Sequence, residues 1–130
     1  MVLDTSALVA LLSMEPEAAR IATAIEADTV RRLSAATLLE AALVLEARYG
    51  PEGGRELDLL VAKTGLAIEP FTAEQADLAR EAWRRYGKGH HRAALNLGDC
   101  FSYALAKMTG EPLLFKGEDF AQTDVAAVSY

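Results

Sequence analysis

A single cysteine, Cys100, is all the thiol chemistry this chain has. That excludes an internal disulfide and a cysteine-based metal site. Lying in an apolar-rich segment just before Phe101, Cys100 reads as a buried, inert thiol. Basic charge is also scarce: 13 Lys and Arg stand against 19 Asp and Glu, for a net charge of -6. Global charge therefore gives no reason to expect nucleic acid or an anionic membrane as partner. No apolar run approaches the roughly 18 residues of a membrane span. The opening MVLDTSALVALL is interrupted by Asp4 and has no Lys or Arg before Arg20. A secretory signal wants the opposite, so the cytoplasm is the expected location. Glycine-rich phosphate loops of the P-loop or dinucleotide kind are missing, as are repeats, linkers and low-complexity segments. What remains is a chain of 130 residues, 52% hydrophobic, sufficient for one well-packed domain.

Hydrophobic periodicity organises the chain. Residues 2–4 read as a short strand ending in Asp4, and Thr5 or Ser6 can cap the helix that follows. A second helix is expected over 15–27 with Pro16 in its first turn. TVRRLSA at 29–35 is a strand weakened by two arginines, and 36–49 is a strong helix ending near Gly50-Pro51. Gly53-Gly54 blurs the start of the next helix, placed at 55–63, before a strand LAIEP at 66–70. Thr72 and Gln75 have capping-box spacing for a helix over 72–87. A loop at 87–96 leads to a helix over 99–110, a strand at 113–115 and a last edge strand at 124–129. Short apolar strands separated by helices imply a parallel sheet covered on both faces, with ligands at its carboxyl edge.

Several acids occupy uncommon places on that plan. Asp4 ends the first strand, where it can cap a helix, stand in the ligand crevice, or do both. Glu40 has Ala36, Thr37, Leu43 and Val44 as helical neighbours, which sets it on or beside an apolar stripe. Asp99 opens a helix, where the dipole favours an acid. Asp119 and Glu118 follow the strand LLF. Gathered at one sheet edge, such carboxylates repel and raise one another's pKa unless a cation joins them. An all-oxygen ligand set suits Mg²⁺ or Mn²⁺, which points to metal-assisted hydrolysis of a phosphate ester.

One segment runs against the acidic balance. RRYGKGHHR at 84–92 holds Arg84, Arg85, Lys88, His90, His91 and Arg92 and no acid. Arg84 and Arg85 suit a helix C-terminus, whereas Lys88 and the histidines suit a mobile positive flap on a phosphate backbone. Tyr86 could stack on a splayed base. Adjacent histidines point apart, which disfavours zinc. Ser6, Ser34 and Ser102 have no evident base partner, which disfavours a Ser–His hydrolase.

Taken together, VLDTSALVALL, SAATLLEAALVLEAR, LNLGDCFSYALAK and LLFKGEDFAQTD resemble the PIN-domain ribonucleases. More narrowly, they are similar to the VapC toxins of prokaryotic type II toxin–antitoxin modules. The likeness covers nearly the whole chain, and DTSA and GDCFSYALAK are its most specific parts. It implies one PIN-like nuclease domain over 1–130, an α/β three-layer α/β/α sandwich with a mainly parallel central sheet. By that resemblance Asp4, Glu40 and Asp99 match the first three acids around Mg²⁺, with Mn²⁺ a possible substitute. Asp119 is the best match for the fourth, although KGEDF departs from the commoner T-x-D form and Gly117 stands where some relatives carry the acid. Glu118 remains an alternative, and Thr5 or Ser6 could position a metal water. The implied activity is endonucleolytic cleavage of RNA, in a transfer or ribosomal RNA, with inhibition of translation. The implied partners are a cognate VapB-type antitoxin and a second copy of the chain, without a membrane. Two other readings stand beside it. A metal-dependent phosphatase wants D-x-D, where this chain has Ser6. A catalytically inactive PIN-fold protein-binding module has no need of the acids.

Overall fold

The computed structural model describes residues 1–130. Strand β1 (Val2–Leu3) leads into helices α1 (Thr5–Leu12) and α2 (Ala18–Ala27). Strand β2 (Arg32–Ser34) is followed by α3 (Ala35–Tyr49) and α4 (Pro51–Thr64). Strand β3 (Ala67–Glu69), α5 (Ala73–Tyr86), α6 (Leu97–Thr109) and β4 (Leu113–Leu114) complete the order, with a 3₁₀ turn at Phe120–Gln122. The strands form one sheet in the order β3-β2-β1-β4, and every pairing is parallel.

Alternation along two-residue strands divides the interior. Leu3 and Leu114 point into a core shared with α1, α2, α3 and α4. Val2 and Leu113 point into a second core built with Tyr86, Leu95, Tyr103, Leu105 and Phe120. Strands β1 and β4 are therefore buried on both faces, which is why they read as apolar without a polar face, whereas the edge strand β3 is exposed at Ala67 and Ile68. This is the expected sandwich. Strand order runs outward from β1 through β2 to β3, then returns to the other side of β1 with β4. The switch point lies between β1 and β4, where the carboxyl ends of parallel strands open a crevice.

Several boundaries differ from the sequence reading. Helix α4 starts at Pro51, not at 55, because Gly53 and Gly54 are contact points rather than breakers. A Cβ on Gly53 would overlap the Leu45 carbonyl oxygen, so the glycine lets α4 close on α3. Helix α2 begins at Ala18, leaving Pro16 outside its first turn. Strand β2 is shorter than 29–35, and Arg32 is tolerated in it because it pairs with Glu69 of β3 at 2.6 Å. The Thr72–Gln75 box is half made. Thr72 accepts the Gln75 N–H, whereas Gln75 Nε2 donates to the Pro70 carbonyl. Helix α6 begins at Leu97 with Asn96 as its cap, two residues ahead of the expected start. The edge strand at 124–129 reduces to one parallel bridge, Leu113 to Ala127. No helix is long and apolar enough to cross a membrane.

Candidate active site

Asp4 stands at the switch point. Its backbone N–H donates to the Leu114 carbonyl, completing β1 against β4. Its side chain caps α1 by accepting the Ser6 N–H at 3.0 Å. The same oxygen, Oδ2, accepts the Ser6 hydroxyl at 2.6 Å, and Oδ1 accepts the Ser102 hydroxyl at 2.6 Å. Ser6 Oγ in turn accepts the Lys116 N–H at 3.0 Å, which ties the exit of β4 to α1. Lys116 is anchored further by Glu15 and Glu17, each at 3.3 Å from its ammonium. Asp4 is only 2% exposed, so capping and a rigid place in the crevice are the same placement.

Glu40 arrives from α3 and Asp99 from α6. Thr5 Oγ1 donates to Glu40 Oε1. The Glu40 carboxylate lies over Gly98, where any Cβ would overlap it. Gly98 thus makes a cradle for the acid beside Asp99, a role invisible in the sequence pattern. Asp99 is the third helical residue of α6 and completes a capping box: it accepts the Asn96 N–H at 2.9 Å, while Asn96 accepts the Asp99 N–H at 2.9 Å.

Asp99 reports the company it keeps. Burial, opposed by the Asn96 N–H and reinforced by the charges of Asp4, Asp119 and Glu40, pushes its carboxyl up to about 7. The other three expected acids are therefore each within electrostatic reach of Asp99. Asp119 sits exposed beyond β4, and its charge is among those that raise Asp99. No three acidic, histidine or cysteine side chains stand at the spacing of a preformed metal cage. The set is an open group of carboxylate oxygens, the kind that Mg²⁺ occupies while keeping several waters. The glycine cradle and the mutual repulsion at Asp99 both fit a divalent cation here.

The basic segment is resolved into separate parts. Arg85 is exposed but tied down: its guanidinium lies 3.5 Å from Asp124, donates to the Tyr86 hydroxyl at 2.8 Å and covers the Tyr86 ring. Asp124 also receives Tyr103 and Lys107, so this cluster fastens the segment after the 3₁₀ turn onto α5 and α6. Tyr86 is buried and cannot stack on a base, contrary to expectation. The accessible aromatic is Trp83, 46% exposed, with the His90 ring edge-on at 4.4 Å. Arg84, Lys88, His90 and Arg92 are exposed. His91 packs on Tyr86, and its Nδ1 accepts the Ala93 N–H, so the histidines do not converge. This loop runs directly into Asn96 and the acid-bearing turn of α6. Cys100 is buried, and burial followed by Asp99 pushes its thiol up to about 11, as an inert cysteine requires.

Sequence reasoning missed Ser102 as a partner of Asp4, and Thr37 behind it. The available signal was spacing: Ser102 is one helical turn beyond Asp99 and so shares its face.

The model of the PIN domain matches residues 1–126. Ribonuclease VapC30 of Mycobacterium tuberculosis is 60% identical over 129 residues, covering 99% of this chain and 98% of that one. Among solved structures, Mycobacterium tuberculosis VapC20, described as a sarcin-ricin loop cleaving toxin, superposes with a TM-score of 0.81 at 20% identity, covering 99% of this chain and 98% of that one. A toxin–antitoxin complex from Klebsiella pneumoniae gives 0.74 at 19% identity, covering 99% and 97%.

Proposed function

Since the chain belongs to the PIN-domain family, we propose that it is a VapC-type toxin: an endoribonuclease that needs Mg²⁺ and is held in check by a VapB-type antitoxin. The observation that carries this reading is the meeting of acids from three separate elements: Asp4 after β1 at the sheet's switch point, Glu40 from α3 lying over Gly98, and Asp99 beside that glycine in the first turn of α6. Asp99 is raised by burial first and by the charges of Asp4, Asp119 and Glu40 after it, and a carboxylate set held in this way is suited to share a cation. The full-length likeness to a ribonuclease supplies the substrate class.

In this reading Asp4, Asp99 and Glu40 hold the ion, and Asp119 contributes from the exposed rim. The chemistry supplied by a bound divalent ion is Lewis acidity, which makes a water more acidic and offsets charge on the phosphoryl oxygens. Thr5 keeps Glu40 oriented toward the crevice. Arg84, Lys88, His90 and Arg92 hold the RNA backbone beside the α6 turn, where exposed cations offset the acidic rim. Trp83 offers a stacking face. Arg85 serves the fold instead. The target is a transfer or ribosomal RNA, and its loss inhibits translation in the cytoplasm. The chain works as a homodimer.

Purified protein incubated with total RNA, followed by mapping of new 5′ ends, tests the proposal. One recurrent cut is expected that disappears with EDTA and in D4N. A small phosphomonoester should be untouched, which separates a nuclease from a phosphatase. Folded D4N and D99N proteins that cut RNA at the wild-type rate would refute the reading.

A further inference from the structure

Behind Asp4 runs a line of buried hydroxyls whose direction can be fixed by counting protons; the role assigned to it rests on the ribonuclease reading. Ser102 is fully buried and its hydroxyl donates to Asp4 Oδ1 at 2.6 Å. A serine hydroxyl has one proton, and that proton is spent on Asp4. The 3.3 Å contact between Thr37 Oγ1 and Ser102 Oγ must therefore run from Thr37, also fully buried, to Ser102. Thr37 belongs to α3, the helix of Glu40, and Ser102 to α6, the helix of Asp99. The line thus joins the three elements that carry the acids.

Lone pairs can be counted as well. An ionised carboxylate offers about four acceptor positions, two on each oxygen. Oδ2 of Asp4 accepts twice, from the Ser6 N–H and the Ser6 hydroxyl. Oδ1 accepts once, from Ser102. Ser6 cannot swing away, because its oxygen also accepts the Lys116 N–H. One acceptor position on Oδ1 is left over.

We propose that Ser102 and Thr37 are positioning residues: they orient Asp4 so that a single lone pair of Oδ1 is presented to a divalent cation. Neither touches the ion or the RNA. Buried hydroxyls without partners are costly, whereas a fully satisfied line holds one geometry. Without Ser102, Oδ1 has two equivalent free positions and the carboxylate loses its reference on that side.

Calorimetric titration of metal-free protein with Mn²⁺ reads this directly, alongside the melting temperature of each variant. S102A is expected to weaken Mn²⁺ binding by about tenfold or more, the usual consequence of removing a group that orients a ligand. T37V, which keeps the volume but not the hydroxyl, is expected to weaken it by about threefold, and T37S to restore it. In RNA cleavage the half-saturating Mg²⁺ concentration should rise by the same factors, with a smaller loss of rate at saturating Mg²⁺. A merely structural role would lower the melting temperature and leave Mn²⁺ affinity unchanged. If S102A binds Mn²⁺ as tightly as wild type while D4N does not bind, the positioning role is overturned and the ribonuclease reading stands. If D4N also binds as wild type, Asp4 is no ligand and both fall. Should S102A not fold, equal Mn²⁺ affinities in T37V and T37S overturn the proposal.

Discussion

Replacing Asp99 by Asn should stabilise the metal-free protein at neutral pH, although it removes a residue assigned to catalysis. The folded protein raises this carboxyl from 3.8 to about 7, by burial first and then by the Asp4, Asp119 and Glu40 charges. A raised carboxyl pKa means that the folded chain holds a proton which the unfolded chain releases at lower pH. Its stabilising share is complete below about pH 4 and is lost as pH climbs to about 7. Each tenfold change in proton affinity corresponds to at most about 1.4 kcal/mol. Asp99 is only half-buried, so solvent screening reduces the total to about 2 kcal/mol. For a chain of this size that is about 6 °C in melting temperature. Asparagine at 99 carries no charge to repel and keeps an oxygen for the Asn96 N–H. Thermal unfolding followed by circular dichroism in EDTA should therefore find D99N about 6 °C above wild type at pH 7.5. The gap should close below about pH 4, where the Asp99 carboxyl is neutral in both the folded and the unfolded chain. A D99N protein no more stable than wild type at pH 7.5, or a gap constant across pH, would refute the electrostatic account of the site.

Three further variants separate site geometry from RNA contact. G98A forces a Cβ into the Glu40 carboxylate; it should fold and yet lose tenfold or more in Mg²⁺-dependent cleavage, measured on a defined RNA, because Glu40 has to leave its cradle. K88A/R92A removes two exposed cations without touching the acids; the slope of log affinity against log salt for single-stranded RNA should fall by about 1.4, whereas R85A should lower the melting temperature and leave that slope unchanged.

What the sequence made legible was whatever local pattern controls. Asp4 could be placed at a strand end because Val2 and Leu3 precede it and a capped helix follows. Glu40 stood out because an acid beside Thr37 and Val44 has a helical address near the core. Gly98 and Ser102 were opaque, since their work is done across the fold, against Glu40 and Asp4 in distant segments. The same cause misplaced the start of α4. Gly53 looks like a breaker until α3 is laid against it. Charge patterning was ambiguous in the same way. Arg84 and Arg85 are identical neighbours in a basic run, and only the position of Asp124 gives Arg85 to the fold. Tyr86 reads as a surface aromatic in a basic run because its burial depends on Tyr103, from the next helix.

The residues from 2 to 6 carry one further consequence, for mutational tolerance. Val2 fills one core and Leu3 the other. Asp4 faces the crevice, Thr5 steadies Glu40, and Ser6 steadies Asp4. Inserting or deleting a single residue there would exchange the two cores and turn the carboxylate away from its neighbours. Most surface strands offer alternate positions where substitutions accumulate without effect. Here consecutive side chains hold five separate duties, and neutral drift has nowhere to go.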